Sequence, residues 1–473
     1  MEDERTASDE VCPWLAPLTE LVINRRWTEV GHNLTLISEA FSKPENRKRL
    51  SLQVLEDLGT ILHVLADGFE VDSLHVATAV TETFRALRNS CVCEPRIQKA
   101  LTERTIAVDE TCSILKSLAS LTGNHYNITC LQVGTQFLGN LVVNNKGTQP
   151  VIWNKCSEVL ITLMKHEDVK VANYSSMVIY NILLGCTDIR IVVENSKEIL
   201  EILLDNAAKN SEFALYAVQL LLSGVGYLPK MYDKVDVTYR LLLLETLQCM
   251  VTDSDTSVPV ASIKFLVRQF KDCSDCIMKT CDKYVERLEP EEVTELLQLL
   301  ASASAKSRYL SELQKDMSLL ITCSALLTSM HSLGKMGENN FTLIQKLSDL
   351  SVSTQRSDIR EHPAFEFKSY LVKLLGNLCW RHPENQNQVR ELDCIPVLLD
   401  CCNIDARNPL IMQWVVLAIR NLCENNFENQ AVIASMTRKG TVDSSVLREM
   451  GLALHASDES KIIIMPRDSM SSV

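Results

Sequence analysis

The sequence predicts an all-α fold, a right-handed superhelical solenoid of stacked helical repeats. Three observations predict it: a polar signature recurring at one offset, apolar residues at the helical spacing, and a composition poor in chain breakers. Of 473 residues only 15 are Gly and 13 are Pro, with 46% hydrophobic and 23% charged. That balance belongs to folded chains, and scarce turn formers favour long helices over sheets.

The signature is clearest near the C-terminus. Leu374-Leu375-Gly376-Asn377-Leu378-Cys379 is followed by Glu384-Asn385-Gln386 and Val389. Ala418-Ile419-Arg420-Asn421-Leu422-Cys423, Glu428-Asn429-Gln430 and Ile433 repeat it 44 residues later (421 − 377). Earlier, Ala86-Leu87-Arg88-Asn89 precedes Gln98 and Leu101, and Phe137-Leu138-Gly139-Asn140 precedes Gln149 and Ile152. In all four copies Gln lies nine residues after Asn. Gln is sparse, 16 residues in the chain, so the shared offset is a repeat mark. A fifth copy around Asn181 keeps Val193 but carries Arg190 where Gln stands elsewhere. The spacings of 51 (140 − 89), 41 (181 − 140) and 44 bracket the period of armadillo and HEAT units. The overlong first spacing implies an insertion at residues 121–127.

Within a unit the pattern is helical. Val169, Ala172, Met177, Val178, Ile182 and Leu183 recur at three- to five-residue steps. An apolar run ending at Met164 precedes them across a polar break, where Asp168 fits an N-cap. Pro396 fits the first turn of another helix, where its missing N–H costs nothing. Each unit therefore reads as a helix, a turn and a longer helix that ends on the asparagine. No single pair buries its apolar face, hence stacking.

At these residues the chain resembles the armadillo family, whose third helix ends in an Asn-Leu step before a polar turn. Lys368-Ser369, the Asn377 segment, Asp400-Cys401-Cys402-Asn403, Gln413-Trp414-Val415-Val416 and the Asn421 segment together resemble the C-terminal domain of the ataxin-10 family. Phe84-Arg85-Ala86-Leu87-Arg88-Asn89, Gln136-Phe137-Leu138-Gly139-Asn140 and Asn173-Tyr174-Ser175-Ser176-Met177 look like it too. The resemblance implies an armadillo/HEAT-like scaffold without catalytic activity. It also implies roles in neuronal survival, neurite outgrowth and cytokinesis, and at the centrosome or cilium base. The expected location is cytoplasmic, including perinuclear, centrosomal or cilium-base and midbody sites.

Domain organisation follows from where the signature is legible. Residues 1–10 read as a disordered tail, 11–195 as N-terminal repeats and 196–333 as degenerate helical repeats. Residues 334–362 read as a polar loop or insertion, with 341–347 a helical turn or two. Residues 363–456 are the C-terminal repeats and 457–473 a second tail.

Net charge is −13, without a basic stripe, which argues against nucleic acid. Arg47-Lys48-Arg49 reads as a solvated helix start. No run of about 18 uninterrupted apolar residues is present, so no membrane insertion is expected. An acidic N-terminus without an apolar segment reads as unsecreted, and the 17 cysteines then read as reduced, buried hydrophobes. Cys273 and Cys276 form a CxxC without a second pair or paired His, so neither metal nor redox chemistry is expected. His166 and His382 read as helix C-terminal residues. Neither phosphate loop nor nucleophile elbow occurs. The chain reads as no enzyme, with no catalytic residues and no cofactor.

The candidate partner-binding groove is the asparagine ladder. Asn89, Asn140, Asn181, Asn377 and Asn421 would line the concave surface, with Arg88 and Arg420 beside them for an acidic partner. Two readings stay open for these amides: contact with an extended peptide, or bonds that hold successive repeats in register. Trp380 and Trp414 are interface candidates that packing explains equally well. The expected partners are other proteins, a second copy of the chain among them. A nuclear-transport-type peptide adaptor is the alternative. Against it, the tryptophan that such adaptors place four residues before the asparagine is absent: Arg85, Gln136, Met177, Lys373 and Leu417 stand there.

Overall fold

The repeats fold as triplets of helices, a short one, a middle one and a long one. The structure, a computed structural model, describes residues 15, 17–67, 74–120, 125–194, 196–280, 288–344, 360–403, 405–436, 452–458 and 461–466. The helices fall into two compact units, residues 1–227 and 228–473.

In the first unit, α1 (Leu18–Ile23) and α2 (Trp27–Ser42) open the stack. One triplet is α3 (Pro44–Arg47), α4 (Leu52–Asp67) and α5 (Leu74–Ser90). The next is α6 (Pro95–Glu103), α7 (Ala107–Ala119) and α8 (His125–Val142). A pair follows, α9 (Gln149–Met164) and α10 (Val169–Gly185), then α11 (Thr187–Glu194), α12 (Lys197–Ala208) and α13 (Glu212–Leu222). The long helices α2, α5, α8, α10 and α13 pack each on the next, while α4, α7, α9 and α12 form a second layer. Phe84, Leu115, Phe137, Leu160 and Ile179 are buried between the layers. Two helices per repeat was the sequence expectation. The third, short helix is too brief to show a period.

At the unit boundary lies α14 (Tyr227–Met231). The second unit continues with α15 (Val237–Thr252), α16 (Val260–Cys273), α17 (Leu288–Ala303), α18 (Ser307–Gln314) and α19 (Met317–Met336). Then come α20 (Phe367–Leu378), α21 (Pro383–Glu391), α22 (Cys394–Asp400), α23 (Ile411–Cys423) and α24 (Phe427–Ser435). Here the long-helix layer is α15, α17, α20 and α23. The stack is an all-α solenoid in each unit. A two-stranded antiparallel hairpin, β1 (Leu452–Asp458) and β2 (Lys461–Pro466), pairs from Leu452↔Pro466 to Asp458↔Lys461. It spans the point where the sequence divides repeats from tail.

Helix starts follow local chemistry. Asp168, Ser196, Ser211, Asp236, Asp316 and Asn426 each accept an N–H of the first turn, the Asp168 bond to Val171 being 2.9 Å. His382 does the same through Nδ1, 3.3 Å from the Asn385 N–H. It therefore caps the start of α21, where the sequence reading put it at a helix end. Arg47 is also placed differently from expectation: it is buried, and its Nη1 donates to the Phe41 and Ser42 carbonyls at 3.1 and 2.8 Å. Those are orphan carbonyls at the end of α2.

Helix α19 is long and apolar enough to cross a membrane by length and composition. Its Leu319, Leu320, Cys323, Leu327 and Met330 are buried against the neighbouring helices, which accounts for that composition. The polar segment after it is turn and bend through residue 342, with Phe341 buried and its carbonyl accepting from Lys368 Nζ at 3.0 Å. Residues 345–359, residues 121–124 of the insertion expected at 121–127, and residues 1–10 and 467–473 of the expected tails lie outside the described residues, while 125–127 open α8. One cysteine expectation fails: Cys112 on α7 and Cys156 on α9 are joined as a disulfide. Spacing along the chain gave no sign of it, because stacking brings residues of adjacent repeats together.

Candidate functional site

The signature residues converge on the repeat junctions. Asn140 Nδ2 donates to the Arg88 carbonyl at 3.0 Å, Asn421 Nδ2 to the Gly376 carbonyl at 2.9 Å, and Asn89 Nδ2 to the Ser38 carbonyl at 3.0 Å. Each bond reaches back to the long helix of the preceding repeat. The glutamines reach forward. Gln98 Nε2 donates to the Asn140 carbonyl at 2.7 Å, Gln149 to that of Asn181 at 3.1 Å, and Gln386 to that of Asn421 at 2.9 Å. The last four carbonyls of a helix have no partner within it. Gln nine residues on, at the start of the next repeat, supplies one from both sides of the junction.

The remaining copies show what the pattern needs. Gln149, Gln386 and Gln430 also bond the carbonyl seven residues back, and Arg190 keeps that bond to Leu183 at 2.8 Å. Asn377 Nδ2 donates to Ser304 Oγ at 2.9 Å, and Gln314 Nε2 to the Trp380 carbonyl at 2.8 Å. Ser304 and Gln314 are thus a junction that sequence reading missed. The Ser304 hydroxyl accepts there where a backbone carbonyl accepts in the other copies, it donates to the Ala301 carbonyl of its own helix at 2.8 Å, and the offset is ten (314 − 304).

Close approach matters at Gly376. A Cβ on Gly376 would lie 3.0 Å from Ala418 Cα and Cβ, so α20 and α23 meet nearly backbone to backbone. At the equivalent place in the first unit, Gly139 faces the flexible end of Met177.

Of the seven proposed groove residues, most are engaged within the protein. Asn421 is 4% exposed. Arg88 donates to Gln136 Oε1 at 2.6 Å and to Asn89 Oδ1 at 3.1 Å. The Asn181 side chain and exposed Arg420 make no hydrogen bond among the described residues. Trp380 is 42% exposed beneath the Arg381 guanidinium, 5.0 Å from its ring. Trp414 is half-buried with Lys373 Nζ 4.9 Å from its ring. Within the CxxC, burial pushes the Cys273 thiol up to about 12. No metal-holding cluster of His, Cys, Asp or Glu occurs among the described residues.

Sequence reading missed a cavity. It has a volume of about 600 Å³ and opens on the long-helix layer of the second unit, between α15, α17 and the start of α20. Leu241, Phe365 and Tyr370 line it, as do Glu245, Glu291, Glu295, Glu361, Glu366 and Arg360. Burial raises the Glu295 pKa, and the charges of Glu245 and Glu291 raise it further. Tyr370 donates to Glu366 at 2.8 Å. Helices of the degraded middle and the start of the C-terminal repeats build this site together, and no motif marks it.

Residues 367–465 match the family model described as the spinocerebellar ataxia type 10 protein domain. Human ataxin-10 is 30% identical over 463 residues, covering 92% of this chain and 94% of that protein. Ataxin-10 of Xenopus tropicalis is 30% identical over 457 residues, 91% of each chain. A Dictyostelium discoideum ataxin-10 homolog is 42% identical over 96 residues, 20% of this chain and 16% of that protein. With its all-α repeats and these full-length relatives, the chain belongs to the ataxin-10 family.

Proposed function

We propose that this chain is a non-enzymatic armadillo-repeat scaffold that binds other proteins through its long-helix layer. The carrying observation is that this layer is continuous within each unit and opens, in the second, into a cavity large enough for a side chain. Stacked repeats present extended surfaces that suit chain-like ligands. The Asn ladder then serves chiefly to hold the register. Asn181 and Arg420 are the groove residues left for ligand contact, with Trp380 at the rim.

Charge selects the ligand. Five carboxylates, Glu245, Glu291, Glu295, Glu361 and Glu366, stand in the cavity lining against one arginine, Arg360, and that excess suits a lysine or arginine side chain, whose charge would relieve the repulsion at Glu295. By family resemblance the scaffold serves neuronal survival, neurite outgrowth, cytokinesis and centrosome or cilium-base organisation. Its place is the cytoplasm and those assemblies, and a second copy of the chain is among its partners.

A fluorescent lysine- and arginine-rich peptide, titrated into the full chain, tests the cavity. Glu291→Gln with Glu295→Gln should weaken binding by about tenfold or more, about 1.4 kcal/mol, while circular dichroism stays unchanged. Equal affinity in the folded double variant, or equal binding of a Glu-rich peptide, contradicts the proposal. The nuclear-transport alternative shares this charge preference but lacks the tryptophan slots. Selective capture of a nuclear-localisation sequence over its scrambled version would favour it.

A further inference from the structure

We propose that Cys112 and Cys156 form a reversible thiol switch that reads disulfide-type oxidants such as glutathione disulfide. The two residues sit on the middle helices of adjacent repeats, α7 and α9, with Cα atoms 5.8 Å apart. They are 44 residues apart, one repeat period, so the bond encloses all of α8 and its Asn140. Two ion pairs flank them. Lys155 Nζ lies 2.7 Å from Asp109 Oδ2, and Lys116 Nζ lies 3.0 Å from Glu158 Oε2. Asp109, Cys112 and Lys116 follow one helical face at steps of three and four. These stitches do not depend on the sulfur bond, so they hold the thiols in register when the pair is reduced. Reoxidation then needs little movement.

Access differs between the two sulfurs. Cys112 is partly exposed and Cys156 is fully buried. The exchange therefore starts at Cys112. Its thiolate attacks one sulfur of glutathione disulfide, a mixed disulfide forms, and one glutathione thiolate leaves. The Cys156 thiolate then attacks the Cys112 sulfur and expels the second glutathione. Two protein thiols are oxidised, one glutathione disulfide is reduced to two glutathiones, and the two thiol protons pass to the solvent or the leaving thiolates. Other cysteines lack one half of this arrangement. Cys91 and Cys130 are buried, with thiols pushed up to about 12, whereas Cys93 and Cys402 are exposed and their nearest cysteines along the chain, Cys91 and Cys401, are buried.

Closing the link ties two neighbouring helices of the middle layer, around α8. Oxidation is expected to slow amide exchange in α8 at least tenfold relative to α12, which lies outside the enclosed loop.

The full chain, reduced and then equilibrated in glutathione buffers of rising oxidised fraction, is read by differential alkylation and peptide mass spectrometry. Cys112 and Cys156 should convert together to a linked peptide pair. Cys93 and Cys402 should carry glutathione, and Cys91 should stay alkylatable only after unfolding. Cys156→Ser should stop at glutathione on Cys112, and Cys112→Ser should leave Cys156 unmodified. A pair that stays reduced in excess glutathione disulfide overturns the switch. So does Cys156 acquiring glutathione in the Cys112→Ser chain, or α8 exchange that ignores the link.

Discussion

His331 shows how one buried side chain ties folding to pH. Its Nε2 lies 3.3 Å from Asp400 Oδ2, its Nδ1 3.8 Å from Cys401 Sγ, and Lys335 Nζ reaches the same Asp400 oxygen at 2.7 Å. Burial lowers its pKa, Lys335 and Lys368 lower it further, and Asp400 only partly opposes them. His362 is lowered as well, by burial and by Arg407. A histidine whose folded pKa lies below its unfolded value gives stability that is present above about pH 6.5 and lost as pH falls below it. The carboxylate of Asp400 has a lowered pKa and titrates beneath that window. Denaturant midpoints should therefore fall between pH 7 and pH 5, and His331→Gln should flatten that fall. An unchanged slope in the variant would mean that His331 is not a source of it. Nothing in the sequence marked His331, because its neighbours lie about 70 residues away on another helix. Asn140 and Gln98 were legible for the opposite reason, since each repeats at a fixed offset and the junction is rebuilt each time.

At the scale of the element, the turn after four of the five signature asparagines, all but Asn181, is one geometry. The residue four positions after the signature asparagine has positive φ in each: Cys93 at 57°, Asn144 at 52°, Arg381 at 51° and Asn425 at 58°. Asn tolerates that left-handed region and most other residues do not. Two of the copies already use Asn; Cys93 is exposed, and its side chain makes no hydrogen bond among the described residues. Cys93→Asn should therefore raise stability, by about 0.5–1 kcal/mol, seen as a higher melting temperature with unchanged circular dichroism. A lower melting temperature would show that the turn is held by something other than its backbone preference. Helix existence and period were readable because apolar spacing reports them directly. The short opening helices were not: nine residues such as Pro95–Glu103 span too few turns to reveal a period.

Across the whole molecule, two repeat stacks share one building rule, with a middle in which the rule persists under altered residues. Ser304 and Gln314 replace the amide pair there, and the cavity by Glu295 opens nearby. Sequence resemblance is strong where Asn and Gln both survive and weak where a hydroxyl replaces one of them. Hydrogen bonding across the junction survives that exchange. The cavity stayed hidden because its lining comes from three separate stretches that only stacking unites. Partner choice belongs to this scale as well, with a surface built by many helices and a charge set by few. The central claim is that the signature amides hold adjacent repeats together, and paired unfolding of two variants tests it most directly. Asn421→Ala, which strands the buried Gly376 carbonyl, should lower stability by about 1–3 kcal/mol. Asn181→Ala, whose side chain has no such bond, should stay within about 0.5 kcal/mol of the parent. Equal losses in the two variants, or no loss in Asn421→Ala, would contradict the account.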